Sequence, residues 1–307
     1  MSEATDVLDA PLAGGATATP PGPTRPLYWS LRRELWENRS LYLAPLGVAA
    51  IFLFGFLLSV FSLPHRMRGA ALDPAKQRHM IELPFDMAAG LLTVTAMLVG
   101  ALFCLDALHG ERRDRSILFW KSLPVSDRTA VLAKAAVPLL VLPAIVLALV
   151  LPLQALMLVI SMVALAPTPS SVELFWTRLP FVQLWLSLVY GEVVIALWLA
   201  PVYAWLLLVS AWARRTPLLW AVIPPLGVCV VEKVAFHTDA CARFLGYVAG
   251  GWYDLAFVAT PAMAGRGPLA HLTPGNLLAT PWLWLGVVLA TLFLAGAVRL
   301  RRRREPI

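Results

Sequence analysis

Long runs without a charged side chain leave a polypeptide few choices, and this 307-residue sequence contains several. Ser40 to Pro64 is 25 residues, Ala135 to Val172 is 38, and 19 residues separate Asp86 from Asp106. A water-soluble chain could not cover such runs, because only 14% of the residues here are charged where a soluble domain carries about a quarter. In hydrocarbon a backbone must satisfy its own N–H and C=O groups, so each run reads as a helix crossing a bilayer. The fold class expected is therefore an all-α membrane protein with six transmembrane helices, at about 41–63, 87–109, 137–165, 181–213, 217–236 and 281–298.

The third run is the least simple. As one straight helix its 38 residues would extend roughly 57 Å, well beyond a ~30 Å hydrocarbon core. Two spans and a turn would need more than about 40 residues. One helix over 137–165, bent at Pro138, Pro143 and Pro152, fits both limits.

Lys and Arg distribute unevenly between the two sides these spans define. Four lie from Arg25 to Arg39, six from Arg112 to Lys134, two at Arg214 and Arg215, and five from Arg299 to Arg304. Those 17 of 25 belong on one side, which the positive-inside rule makes cytoplasmic. Both termini are then expected inside, and the net charge of +7 is explained without nucleic acid. Residues 1–26 lack a basic stretch before an apolar core and read as a disordered cytoplasmic tail, not a signal peptide. Cys104 and Cys229 fall inside spans and Cys241 in a loop, so no disulfide framework is expected.

Residues 27–39 (LYWSLRRELWENR) set Leu31 and Leu35 beside Trp29 and Trp36 at helical spacings, with Arg32 and Arg33 largely elsewhere. This is an interfacial amphipathic helix, with its Trp rings at headgroup depth and its Arg near anionic lipid. It either anchors the fold alone or adds a function.

The segment 110–130 carries the most information. Glu111, Arg112, Arg113, Asp114 and Arg115 alternate in sign, and Ile117, Leu118, Phe119 and Trp120 follow as an apolar knot, with Lys121 beyond it and Pro124 as a stop. Four large apolar side chains on a cytoplasmic loop suit a short helix inserted into a partner's groove, its charges setting register. The other reading is that Phe119 and Trp120 dip into the inner leaflet.

The pattern Glu111-Arg112, then Leu118, Leu123-Pro124-Val125-Ser126, Leu132 and Lys134, resembles the cytoplasmic loop of type-2 ATP-binding-cassette (ABC) transporter permeases. The layout of six spans, an N-terminal interfacial helix and a long segment between the fifth and sixth spans resembles that family too. One place differs: Arg115-Ser116 stand where members often carry Gly-Thr. The resemblance implies that the loop is a coupling helix docking on a separate P-loop ATPase subunit. It implies a permease homodimer or heterodimer in the cytoplasmic (inner) membrane, with ATP and Mg used by the partner and no cofactor bound by this chain.

Between the fifth and sixth spans, residues 237–280 are external by the charge count. Their apolar stretch Phe244 to Ala264 is broken by Gly250-Gly251, Asp254 and Pro261, so it is either a re-entrant or interfacial element or a loosely packed loop. Asp106, near a helix end, is expected to reach water or pair with Arg112 or Arg113. Glu192 lies deep, where an ionised acid costs roughly 2.5–3.5 kcal/mol. It is a candidate for a translocation path, or a glutamate hydrogen-bonded between helices with no transport role. Trp198, Trp205 and Trp212 repeat every seven residues on the roughly opposite face, toward lipid or a neighbour.

No Gly-x-x-x-x-Gly-Lys-Ser/Thr loop, His-Glu-x-x-His or Gly-x-Ser-x-Gly motif occurs. The expected function is thus a non-enzymatic permease subunit of an ABC exporter. The alternatives are a proton-coupled secondary transporter using Glu192 and a non-transport membrane scaffold.

Overall fold

The computed structural model describes residues 25–62, 74–116, 125–165, 181–257 and 268–303. Among them the chain is helical, with no β-sheet and one isolated bridge between Phe257 and Leu272. Helix α1 (Pro26–Glu37) precedes α2 (Ser40–Val60) and α3 (Pro74–Ala107). A five-residue helix α4 (His109–Arg113) follows, then α5 (Asp127–Ala136), a π-helical turn (Val137–Val141) and α6 (Leu142–Leu165). The rest is α7 (Phe181–Trp212), α8 (Pro217–Phe236), α9 (Ala240–Ala256), α10 (Pro274–Ala279) and α11 (Pro281–Arg303). Six helical stretches are long and apolar enough to cross a membrane.

The second and third of these reach further than charge counting suggests. Helix α3 begins at Pro74, and Glu82 and Asp86 sit within it rather than before it. The third begins at Asp127, its first turn capped by Ser126, whose Oγ accepts from the Thr129 N–H at 3.1 Å. Of the three prolines expected to bend this helix, Pro138 lies in a π-helical turn, and the α-helix runs on through Pro143 and Pro152. Proline cannot donate to the preceding turn and its ring crowds the carbonyl there, so the turn widens instead of ending the helix.

Helix α7 is the central rod, touching α3, α6, α8, α9 and α11. Against α11 the contact is made by small residues, with Ala200 and Ala204 facing Ala290. With lipid outside there is little hydrophobic drive between helices, so close backbone approach and dispersion hold them. Gly100 of α3 marks another such approach. A Cβ there would lie 3.0 Å from Leu142 Cδ1 and 3.2 Å from Pro138 Cβ.

The Trp198, Trp205 and Trp212 stripe meets neighbouring helices. Trp198 donates to the Val248 carbonyl of α9 at 2.9 Å, Trp205 donates to Ala221 of α8 at 3.4 Å, and Trp212 meets the Trp220 ring edge-on. Along α8 itself, Ile223, Leu226, Val230 and Val234 remain exposed.

The segment after α8 folds back as the unbroken helix α9, through Gly250 and Gly251. Its first N–H groups are capped from α8, where the Glu232 carboxylate accepts from Ala240 N at 2.8 Å and Cys241 N at 2.7 Å. This hairpin corrects the expectation of no disulfide: Cys229 and Cys241 are bonded, with Cα atoms 5.1 Å apart. The expectation failed because the fold-back sets a cysteine inside a span opposite one beyond its end. Thiol labelling of the denatured protein should count one free cysteine, the buried Cys104, and three after reduction. Three labels without reductant would show that the bond does not form.

Candidate functional site

At one end of the bundle the polar residues of α1, α4, α5 and α11 converge. The Lys134 ammonium of α5 donates to both oxygens of Glu34, at 3.0 and 3.1 Å, and lies 3.2 Å from the Glu111 carboxylate. Arg33 bridges the same two acids, 2.5 Å from Glu34 and 3.2 Å from Glu111. From α11, Arg301 reaches Glu111 at 2.9 Å and Asp127 at 3.1 Å. Three cations and three carboxylates thus form one buried hub, and Glu34 is only 1% exposed.

Such a set is tolerable because each charge has opposite neighbours, whereas a lone buried ion would cost several kcal/mol. Burial pushes the Glu34 carboxyl up, but Lys134 and Arg33 outweigh that and hold it below its ordinary value.

The hub changes what the charged start of the 110–130 segment does. Glu111 belongs to it, and Arg112 is buried as a cap on the C-terminus of α7, donating to Ala211 O at 2.8 Å and Ala213 O at 3.2 Å. The Ser210 hydroxyl accepts from the backbone N–H of Leu108 and His109 at 3.1 and 2.9 Å, pinning the start of α4 to the same helix end. Arg113, Asp114 and Arg115 are exposed, and Arg115 takes the left-handed conformation with φ 57°. Asp106 is also exposed, one turn before this corner. Ile117, Leu118, Phe119, Trp120 and Lys121 lie outside the described residues.

Helix α1 divides its faces differently from the sequence reading. Leu31 and Leu35 turn inward onto the core, beside buried Glu34. Trp29 and Trp36 turn outward, 58% and 66% exposed, with the Arg32 guanidinium between them at 5.4 and 4.5 Å from the ring centres. Arg33 points the other way, into the hub.

In the half of the bundle away from the hub, a cavity of about 590 Å³ opens among α3, α6, α7 and α9. Glu82, Asp86 and Thr93 line it from α3, Glu192 from α7, and Trp252 and Tyr253 from α9. Glu192 is 4% exposed and accepts from the Thr93 hydroxyl at 2.5 Å. Nearby Gln154 accepts from Trp185 Nε1 and donates to the Phe85 carbonyl, both at 3.1 Å, so a buried amide ties α3, α6 and α7 together. The cavity can hold a molecule of a few hundred daltons, and its carboxylates favour positive or hydrogen-bond-donating groups.

From sequence alone Glu82, Glu34 and Asp127 had no role, Asp86 was only the edge of an uncharged run, and Lys134 and Arg301 entered only in the loop pattern and the arginine count. One signal for the hub was present: Lys134 is a single charge in the otherwise apolar run Ala130 to Leu142. Among the described residues no group of three His, Cys, Asp or Glu side chains is placed to hold a metal ion. Compared with protein-family models, curated proteins and solved structures, the chain matches none.

Proposed function

We propose that the chain is the membrane-spanning permease subunit of an ATP-driven exporter, with both ends cytoplasmic and a separate ATPase subunit docking on the 111–126 segment. The observation that carries this reading is the hub. Through Glu111 and Arg112 the base of that segment is ion-paired or capped to α1, α5, α7 and α11, so a displacement applied to it would be transmitted to four helices at once. A loop that only touched lipid would need no such mounting. The orientation is supported by the Arg distribution and by the Cys229–Cys241 bond, which lies at the end away from the hub, where an oxidising compartment would be. The cavity around Glu192 would be the substrate path.

The buried Glu192 carboxylate favours a second reading, proton-coupled transport. One experiment separates the two: co-purification with a P-loop ATPase encoded beside this chain, and ATP hydrolysis measured in proteoliposomes. The expected result is stimulation by the wild type, loss of stimulation in Phe119→Ala/Trp120→Ala with unchanged melting, and retention in Glu192→Gln. No ATPase association, together with proton uptake that Glu192→Gln abolishes, would establish the second reading instead.

A further inference from the structure

On α11, Thr291, Leu294, Ala295, Val298, Arg299, Arg302 and Arg303 recur at three- and four-residue steps and so form one stripe. On α5, Arg128, Val131 and Leu132 do the same. The two stripes line a groove of about 640 Å³ at the hub end of the bundle. Its two ends differ in chemistry. Four guanidinium groups crowd the tip, and deeper along the helices the walls are aliphatic. From Thr291 to Arg303 the rise is about 18 Å at 1.5 Å per residue, close to the depth of one leaflet of a ~30 Å core.

Among the described residues the charges at the tip are compensated only at Arg302. Arg301, between them in sequence, turns inward to Glu111 and Asp127. Among the described residues Asp127 is the acid that reaches this stripe of arginines, engaged by Arg301 at 3.1 Å and 3.9 Å from Arg302. Arg128, Arg299 and Arg303 have no ion-pair partner among the described residues. Three unpaired guanidinium groups above an aliphatic slot match a molecule with a phosphodiester at one end and a hydrocarbon chain at the other.

We propose that the groove between α5 and α11 is a binding site for one anionic phospholipid, its phosphate held by Arg128, Arg299 and Arg303 and an acyl chain lying along Leu132, Leu294 and Val298. A phosphate ion would use the arginines but not the slot. A zwitterionic lipid would use the slot but bring its own cation against the arginines. The bound lipid would bridge the two helices that hold Glu111 through Lys134 and Arg301, so it would brace the hub from outside.

The test uses the full chain purified in neutral detergent, with phosphatidylglycerol, phosphatidylcholine and inorganic phosphate as probes, read by native mass spectrometry and thermal melting. Phosphatidylglycerol should be retained as a single adduct and raise the melting temperature, and the other two should do neither. Arg128→Gln/Arg299→Gln/Arg303→Gln should weaken retention at least about tenfold, the loss of roughly one charged hydrogen bond or more, while Arg214→Gln/Arg215→Gln, exposed beyond α7, should not. If the triple variant does not fold, Arg299→Gln alone with the wild-type lipid comparison decides. Equal retention of both lipids, equal stabilisation by phosphate alone, or unchanged phosphatidylglycerol binding by the groove variants would overturn the site.

Discussion

Lys134→Ala is expected to destabilise the protein by about 3–5 kcal/mol, the range for removing one member of a buried ion set. Lys134 donates to both oxygens of Glu34, and it also neighbours Glu111. Its loss leaves three carboxylates facing two cations, with Glu34 and Glu111 at the buried centre of the set. The double substitution Glu34→Gln/Lys134→Met should recover much of the loss, because both buried charges then vanish together. Thermal melting of the three proteins in one detergent checks this, and a Lys134→Ala protein that melts with the wild type would remove the hub from the account.

The same hub gives the stability a pH dependence of defined sign. Glu34 is held below its ordinary value of 4.5 in the folded state. Its contribution is therefore fully present above the unfolded value and is lost as pH falls through the lower folded value. Melting temperature should decline below about pH 4.5 in the wild type, and less steeply in the double variant.

Trp198→Ala is the second large effect, with about 3–5 kcal/mol expected from deleting a buried indole. Trp198 is 4% exposed, bonds the Val248 carbonyl at 2.9 Å and meets the Tyr247 ring edge-on at 5.3 Å. It is thus a principal attachment of α9 to α7, and α9 carries the Trp252 and Tyr253 wall of the cavity. A Phe ring in place of the indole would restore area but not the N–H that Val248 accepts, so Trp198→Phe should recover only part of the loss. Amide exchange across residues 244–256 checks whether the damage is local: faster exchange there, with α2 and α3 unchanged, is the expected pattern.

Particular residues show why some of this was legible in advance. The stretch Pro217 to Phe236 could be delimited from composition because charge and proline punctuate it in sequence. Asp86 set the start of the second span too late, because it and Glu82 lie inside the helix. Near a helix end acids normally signal water, but here they face a cavity made by three other helices. Cys229 gave no hint of its partner, because only the antiparallel return of α9 brings Cys241 beside it. Glu111 and Arg112 were recognisable as a charged pair, yet their burial depends on α1, α7 and α11 arriving at one place.

What the amino-acid order alone decided is the solvent and the rods: uncharged runs of about 20 residues must be helical in lipid, since each must satisfy its own backbone. What only the tertiary structure decided is how those rods share their few charges. Lys134 meets Glu34 a hundred residues away, and Arg301 meets Asp127 across 174. A buried charge is stabilised by whatever opposite charge stands within a few ångströms, and that distance is set by packing rather than by position along the chain.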